Sequence, residues 1–310
     1  MSVSNTALDF ASVKGLDIAV ERKKVDFPVN RETQLSEDHK FISGFTRLSV
    51  QDPQNAGRLL PIGEVPANRP FLPYGDTMDW ILNEFDELGT PYKLRTSVVN
   101  KKFNLYQEYI FDQDVESPDG DAIAPMVLVH GSYTKGSPLA VYLGTYRYVC
   151  SNGAIIQAGG KTGISVNSRN WGDLSSRGFH DDFRHALNHY SDVSKFYGKL
   201  YNVPLAETLN EILQPKLIPF CMRKKAIGSL EGNGYVNVNI TSDKDAGEKF
   251  KDLKEEDFFT PQSITVNGDV STWEAYKELT YISSRLSSSD RVIIANKSID
   301  RVFKKLTAVA

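Results

Sequence analysis

An aspartate and two histidines of this 310-residue chain have a spacing that suits metal binding. Asp181, His185 and His189 recur every four residues, which on a helix aligns their side chains along one flank. Two imidazoles and a carboxylate are ligands that zinc and related metals accept. Neighbouring charged residues suit a solvated polar stripe equally well. We therefore predict a surface stripe with no tightly bound metal and no cofactor, and keep a metal site as the alternative.

Basic residues interleaved with aromatic ones indicate a second chemistry, the binding of single-stranded nucleic acid. Cations neutralise phosphates, and aromatic rings stack on unpaired bases. The candidate residues are Lys93, Arg95, Lys101, Lys102, Phe103, Tyr106, Arg147, Arg223, Lys224 and Lys225. Strand alternation places Tyr146 and Tyr148 opposite Arg147, so either the rings or the arginine can face an open groove. The competing interpretation is a solvated charged sheet face with its tyrosines in the core.

Two other motifs favour ordinary structural roles. The run from Gly159 to Gly163 contains Gly-Lys-Thr, but a phosphate-binding loop of the Walker type would need glycine where Ile155 stands, so we predict a flexible loop. Cys150 with His130 as its base would make a nucleophile. The apolar and aromatic neighbours of Cys150 are instead typical of a small core residue, which is our prediction.

A strand, a turn and a return strand are predicted within residues 141–157, at the centre of a sheet. A β-branched and aromatic run leads into the turn Ser151-Asn152-Gly153, and an apolar run follows it. Asn152 and Gly153 tolerate the positive φ that a tight reversal needs, so this turn is predicted to be structural. Similar patterns joined by turns extend back to residue 92.

Helical periodicity surrounds these strands. Thr77 is predicted to cap a helix that Gly89 ends, and its apolar stripe contains Met78, Ile81, Leu82, Phe85 and Leu88. Four further helices are predicted. The first covers 177–198, and the second follows Pro204 and ends at Leu213. The third runs from Ser271 or Thr272 to 287, and the fourth, which is basic, covers 291–306. The predicted fold class is α+β, with an antiparallel sheet at about residues 92–157 packed by helices and a smaller C-terminal strand–helix extension.

Composition restricts the class of protein. The hydrophobic fraction of 40% allows a substantial core, and the net charge of −3 excludes a generally basic nucleic-acid binder while allowing a local positive strip. Five prolines between residues 51 and 75 favour an extended connector. We predict three parts: an N-terminal arm with this connector (1–76), an α+β core (77–225), and C-terminal strands and helices packed on it (226–310). Two cysteines and no long apolar run predict a cytoplasmic, non-membrane protein with buried thiols.

Three segments resemble a known family. VLVHGSYTKGSPLAVYLGTYRYVCSNGAII, FRHALNHYSDV and STWEAYKELTYISSR follow in the order seen in phage- and plasmid-encoded proteins of domain-of-unknown-function family 932. The most specific part is the turn from Val149 to Gly153, and the likeness runs from about Gly63 to Arg285. The resemblance implies a mobile-element or viral origin, without catalytic residues to transfer. The outline of a sheet backed by a helix is also similar to Rad52-like single-strand annealing proteins, at the level of fold alone.

These observations together predict a non-enzymatic phage or mobile-element accessory protein that binds single-stranded DNA, with annealing during recombination as its role. Two other classes stay open. One is a structural or host-interaction protein of a phage, and the other is a metal-dependent enzyme using the Asp181, His185, His189 stripe. The partners that the prediction allows are single-stranded DNA and further copies of the chain, in the host cytoplasm if the protein is viral.

Overall fold

The computed structural model describes most of the chain, which divides into two compact units. The described residues are 13–35, 41–52, 54–67, 73–100, 103–113, 117–120, 123–133, 139–147, 152–155, 163–166, 181, 190–214, 218–239, 263–287 and 289–309. One unit comprises Met1–Gln113, Ala124–Gly144 and Ala158–His189, and the other comprises Asp114–Ile123, Thr145–Gln157 and Tyr190–Ala310. This division differs from the three consecutive parts predicted from the sequence, because segments distant in sequence contribute to each unit.

The first unit begins with a short helix and a three-stranded antiparallel sheet. Helix α1 (Ile18–Val25) starts at Asp17, whose carboxylate accepts hydrogen bonds from the backbone N–H groups of Ala19 and Val20. Strands β1 (Val29–Leu35), β2 (Phe41–Asp52) and β3 (Asn55–Pro66) pair in the order β1-β2-β3. For residues 1–50 the sequence allowed an arm or short edge strands, and β1 and β2 agree with strands, whereas the extended connector predicted over 51–75 is corrected to strand β3 and the start of the next helix.

Prolines are compatible with β3 because of its place in that sheet. β3 is the last strand in the order and pairs with β2 alone, and Pro61 lies where the β2–β3 register shifts. A proline removes a ladder hydrogen bond, so edge strands and bulges are where a sheet accepts it. The sequence does not show which strand lies at the sheet edge or where the register shifts. For that reason the proline count indicated a connector.

Helix α2 (Tyr74–Leu88) carries the apolar stripe that its periodicity predicted. Met78, Ile81 and Phe85 are fully buried, and the helix ends at Gly89 with a φ of 68°, as predicted. The predicted cap at Thr77 is wrong. The helix begins one turn earlier, after Pro73, and the Thr77 hydroxyl donates a hydrogen bond of 3.0 Å back to the Pro73 carbonyl.

The predicted antiparallel sheet is present, and the α+β fold class is confirmed. Its strands are β4 (Tyr92–Val99), β5 (Leu105–Phe111), β6 (Ile123–Gly131), β7 (Leu139–Arg147), β8 (Asn152–Ile155) and β9 (Gly163–Val166). The order is β4-β5-β6-β7-β8, with β9 also paired to β7. Asn152 and Gly153 belong to strand β8 itself, which corrects the predicted turn at these two positions, and Ser151 lies outside the described residues.

The core of the first unit lies between α2 and one face of this sheet. The Phe85 ring lies 5.0 Å from the rings of both Tyr109 and Phe111 on β5. The amide of Gln107 on the same face is fully buried and donates to the Met78 sulfur at 3.4 Å. The 3.6-residue stripe of α2 and the two-residue alternation of β5 therefore meet, as their periodicities require.

The second unit is mainly helical. Its helices are α3 (Tyr190–Asn202), α4 (Leu205–Ile212), α5 (Phe220–Gly232), α6 (Thr272–Ser284) and α7 (Ser289–Val309), and a hairpin pairs β10 (Val236–Val238) with β11 (Ile264–Val266). The predicted end of α4 and start of α6 are confirmed. Among the described residues, no helix combines the length and apolar composition needed to cross a bilayer.

Helix α6 supplies the core of this unit. Trp273 and Tyr276 are buried and stack with ring centroids 5.5 Å apart. Tyr197 of α3 lies 4.7 Å from Trp273, and Phe303 of α7 lies 5.2 Å from Tyr276. The aromatic stripe predicted for this late helix is therefore a packing surface that orders the helices around it.

Candidate nucleic-acid interface

The predicted basic residues of the first unit contact acidic groups and backbone on and around the sheet. Arg95 on β4 forms an ion pair with Glu108 on β5, which also accepts a hydrogen bond of 2.7 Å from the Tyr106 hydroxyl. Burial, reinforced by the Glu108 carboxylate, raises the pKa of Tyr106 well above its ordinary value. Lys93 donates to the Val13 carbonyl at 3.3 Å. Arg95 and Tyr106 thus both contact the Glu108 carboxylate. That carboxylate offsets the positive charge of Arg95, which would otherwise attract a phosphate.

Phe103 anchors the link between β4 and β5. Its φ is 57°, a conformation uncommon for a residue with a side chain. Its carbonyl accepts a hydrogen bond of 2.6 Å from the Tyr74 hydroxyl, and its ring lies 5.9 Å from Phe27. These contacts assign Phe103 to the core of the unit. Lys101 and Lys102, predicted beside it, lie outside the described residues.

The predicted arginines of the second unit are buried. Arg147 is 8% exposed, with its guanidinium 5.5 Å from the centre of the Trp273 ring. Arg223 is 1% exposed and donates to the carbonyl oxygens of Leu213 and Ile218. Lys224 lies over the Phe220 ring, and Lys225 is exposed. Lys225 is therefore the member of this predicted strip whose side chain is most available to a polyanion.

Other sequence-predicted sites have mixed outcomes. Asp181 is an exposed helical residue, whereas His185 and His189 lie outside the described residues, so the metal alternative stays a prediction. Within the described part of the chain, no three His, Cys, Asp or Glu side chains cluster as a metal site would need. His130 is a buried residue of β6, and Cys150 lies outside the described residues. Cys221, predicted to be buried, is exposed on α5.

A row of cations lies on the exposed side of α7. Arg291, Arg301 and Lys305 are exposed and Lys297 is half-buried. At 3.6 residues per turn these four positions fall within about a third of the helix circumference, and they span about 21 Å along it. Asp300, an acidic residue of α7, is 2% exposed and pairs with Lys304. We call Arg291, Lys297, Arg301 and Lys305 the basic face of α7.

Packing in the unit explains why these cations are exposed. Phe303 and Ile299, on the other side of α7, are fully or almost fully buried, and Phe303 packs on α6. Lys199 of α3 donates to the Thr307 carbonyl, and Glu211 of α4 pairs with Lys305 at 3.2 Å. Helices α3, α4 and α6 therefore pack on α7, and α4 also places the carboxylate of Glu211 beside Lys305 at one end of the basic face.

Lys304 is adjacent to the basic face but has a different role. It pairs with the buried carboxylate of Asp300 at 3.3 Å and lies 5.9 Å from the centre of the Phe196 ring. Burial lowers the pKa of Lys304, and this outweighs the opposing effect of Asp300. Lys304 thus compensates a buried carboxylate, and we do not count it among the cations presented to a ligand.

An aromatic ring stacked with a cation lies at one end of the α6–α7 pair. The guanidinium carbon of Arg285 is 3.5 Å from the ring centre of Tyr281, which is 39% exposed, and the guanidinium also donates to the Tyr281 carbonyl at 3.2 Å. We call this pair the Tyr281–Arg285 stack. Arginine and tyrosine four residues apart on a helix are neighbours on its surface, so the local sequence produces the contact.

The register of α6 and α7 places this stack along the helix pair. Tyr276 packs on Phe303, and one heptad further along α6 the Ser283 hydroxyl donates to the Asn296 side chain at 3.1 Å. The contact residue on α7 is then Asn296, seven residues before Phe303. The two helices are therefore antiparallel and keep a constant register. Arg285 therefore falls at the level of Ile294, which is 65% exposed. At about 100° per residue Tyr281 and Arg285 fall about 140° and 180° around α6 from Tyr276, so the stack lies on the side of α6 that faces away from α7.

The basic face was not among the residues predicted from the sequence, although α7 was predicted to be a basic helix. The spacing of Arg291, Lys297, Arg301 and Lys305 is consistent with one helix face and is visible in the sequence. What the sequence does not show is which side of α7 packs inward. Ile299 and Phe303 are buried, so the side of α7 that carries them packs inward and the cations on the other side face solvent.

Comparison with known proteins gives no assignment. No family model, no curated protein and no solved structure matches the chain.

Proposed function

We propose that this chain is a non-enzymatic protein that binds single-stranded DNA, and that the basic face of α7 holds the phosphates. The observation that carries the proposal is the row Arg291, Lys297, Arg301 and Lys305 on one helix side that faces solvent. A row of cations releases condensed counterions when it neutralises a phosphate chain. A net charge of −3 for the whole chain confines this attraction to a local surface.

The surroundings of α7 favour a single strand over a duplex. A helix that reads a duplex enters the major groove, which is about 12 Å wide, and must project from its protein to do so. Helix α7 is instead held by α3, α4 and α6 of its own unit. Contact with an exposed row of cations needs no insertion into a groove, and a flexible single strand can follow such a row along the helix.

A membrane surface is a poorer partner for the same helix. Amphipathic helices that bind bilayers insert their apolar side. The apolar side of α7, with Val292, Ile299 and Phe303, is already buried inside the unit. Ile294 is the large apolar residue that α7 exposes among those described. The helix therefore presents charge without the apolar surface that insertion requires.

The wider role that we propose is annealing of complementary strands for a phage or plasmid. Annealing rests on single-strand binding together with the fold-level similarity to Rad52-like annealing proteins, and the phage or plasmid origin rests on the resemblance of residues 149–153 and their flanking segments to family 932. It predicts that the purified protein accelerates pairing of two complementary oligonucleotides, followed by quenching of a fluorophore on one strand by a group on the other. Binding without acceleration would leave the DNA-binding proposal in place and remove annealing.

The test of binding is fluorescence anisotropy with a labelled single strand at low salt. The variant replaces three cations of the basic face, Arg291→Gln, Lys297→Gln and Arg301→Gln. We expect its affinity to fall by about tenfold or more, because three phosphate contacts are lost.

A matched control removes the same charge elsewhere. Lys14→Gln, Lys23→Gln and Arg58→Gln replace three exposed cations of the first unit, and we expect this variant to bind nearly as well as the wild type. The proposal is wrong if the wild-type protein does not bind at low salt, or if the two triple variants bind equally well.

A further inference from the structure

Ile294 is an exposed apolar residue in the middle of the basic face of α7. We infer that it forms a base-binding subsite: one unpaired base packs on its side chain while the phosphates on either side contact cations of the same face. The inference deepens the proposed function and rests on it, since those cations must first hold the phosphates. It assigns contact with a base, as distinct from the backbone, to a named residue.

Helical geometry puts Ile294 on the same surface as the cations. At about 100° per residue, Arg291 and Lys297 lie about 60° to either side of it around the helix. Arg301 and Lys305 lie about 20° to either side. Along the axis Arg291 and Lys297 are each about 4.5 Å from Ile294, in opposite directions. Ile294 is therefore a surface neighbour of two cations that we propose to hold phosphates, and it lies between them.

The exposure of Ile294 agrees with that placement. Its side chain is 65% exposed, whereas Phe303, about 180° around the helix, is fully buried. Isoleucine is among the residues that folded proteins most often bury, and here the packing of α7 leaves one in solvent. A ligand that covers Ile294 removes its apolar surface from water, which favours binding.

The charges beside Ile294 restrict what can cover it. A ligand must place apolar surface on the side chain and negative charge on both sides along the helix, where Arg291 and Lys297 lie. A nucleotide strand has this order of groups, because each base is carried between two phosphates. A second copy of the chain that presents the same face would bring like charges together, which opposes association.

Contact with a base at Ile294 affects the choice between single and double strands. In a duplex each base is stacked on both faces, so packing a side chain on one requires unstacking, as in proteins that insert isoleucine between base steps. An unpaired base is available without that cost. The subsite thus adds a preference for single strands to the attraction for phosphates, which single and double strands share.

The experiment crosses two probes with three variants. The probes are a labelled oligothymidylate of about 12 nucleotides, within the usual range of single-strand site sizes, and the same backbone with every base removed. Ile294→Ala removes the side chain beyond Cβ and favours the helix, and Ile294→Leu keeps an apolar side chain of the same size. Val20→Ala, at a β-branched residue of α1 that is 47% exposed, is the matched control.

We expect Ile294→Ala to lower the affinity for the thymidylate by about three- to tenfold, because a base covers one side of the apolar groups that are lost. Its affinity for the abasic strand should equal that of the wild type. The slope of binding with salt should also stay the same, because no phosphate contact changes. Ile294→Leu should retain most of the preference for the thymidylate, and Val20→Ala should retain all of it.

The outcomes separate this inference from the proposed function. If Ile294→Ala binds the thymidylate as the wild type does, or loses the same factor with both probes, the base subsite is wrong while phosphate binding by α7 stands. A wild-type dimer that Ile294→Ala converts to a monomer in size-exclusion chromatography would show that a second copy covers the residue, and would also overturn the subsite. If the wild type binds neither probe at low salt, the proposed function itself is wrong and the subsite is wrong with it.

Discussion

Replacing the buried Arg223 should lower the stability of the protein and leave its DNA binding unchanged. Its place in Arg223-Lys224-Lys225 indicated a phosphate-binding strip, whereas its side chain is 1% exposed and donates to the carbonyls of Leu213 and Ile218, the latter at 2.8 Å. Leu213 is the residue at which α4 ends. A guanidinium there satisfies a carbonyl at the negative end of a helix dipole. Arg223 should therefore support folding and not binding.

The expected cost of Arg223→Gln follows from these two contacts. Each hydrogen bond from a charged donor contributes about 1.5–3 kcal/mol, and a shorter neutral amide cannot make both. We expect a loss of about 3 kcal/mol in the free energy of unfolding. For a protein of this size that lowers the melting temperature by roughly 5 °C. Lys225→Gln, two residues along the same helix but exposed, should change stability by less than about 0.5 kcal/mol.

The assay is thermal unfolding by circular dichroism, run beside anisotropy of a labelled single strand at a temperature where both variants are folded. Arg223→Gln should melt earlier and bind DNA like the wild type. An Arg223→Gln protein that melts like the wild type and has lost DNA affinity would show that Arg223 faces a phosphate, and would refute its structural role.

Two further predictions concern stability. Burial alone would raise the pKa of Asp119, but hydrogen bonds from Ser117, Trp273 and Lys277 lower it overall. The stabilisation of the folded state by the Asp119 carboxylate is therefore complete above its unfolded pKa of about 4, and it disappears as the pH falls through the lower folded value. Asp119→Ala should therefore lower the melting temperature at pH 7 and approach the wild type in acid, and a gap that is constant with pH would contradict this. Gly89→Ala should cost about 1 kcal/mol because its φ is 68°, whereas Gly228→Ala inside α5, with nothing within 4 Å, should stabilise by up to about 1 kcal/mol. A urea midpoint that does not fall for Gly89→Ala would contradict the first expectation, and one that falls for Gly228→Ala would contradict the second.

The sequence predicted elements wherever periodicity and an end signal coincided. In α2 the buried Met78, Ile81 and Phe85 recur at helical spacing, and Gly89 stops the helix with a positive φ. In α6 Trp273 and Tyr276 predicted a packed stripe, which is buried as expected. Both patterns are local, so one segment contains all the information that the prediction needs.

The same local patterns failed where a distant segment determines the structure. Pro61 reads as a helix and strand breaker, but β3 lies at a sheet edge with a register shift where proline fits. Arg223 reads as a surface cation because the carbonyls that it satisfies belong to Leu213 and Ile218, in the preceding segment. Neither the edge nor the buried carbonyls can be inferred from neighbouring residues.

The candidate site divides in the same way. Cations beside aromatic rings were predicted to bind single strands, and that chemistry stays a prediction. Most of the described candidates form structural contacts: Arg95 with Glu108, Arg147 over Trp273 and Arg223 with carbonyl groups. Which cations are exposed depends on packing. On α7 the inward-facing Ile299 and Phe303 leave the cations outside, and that information lies in the whole second unit.

The salt dependence of single-strand binding tests the central claim most directly. Four cations on the basic face, each neutralising one phosphate at a slope of about 0.7, predict that log K falls with log salt at a slope of about −3. Replacing Arg291, Lys297 and Arg301 by Gln should bring the slope to about −1, and the control triple at Lys14, Lys23 and Arg58 should leave it near −3. A wild-type slope near zero, or a slope that the α7 triple does not change, would contradict binding of DNA by this helix.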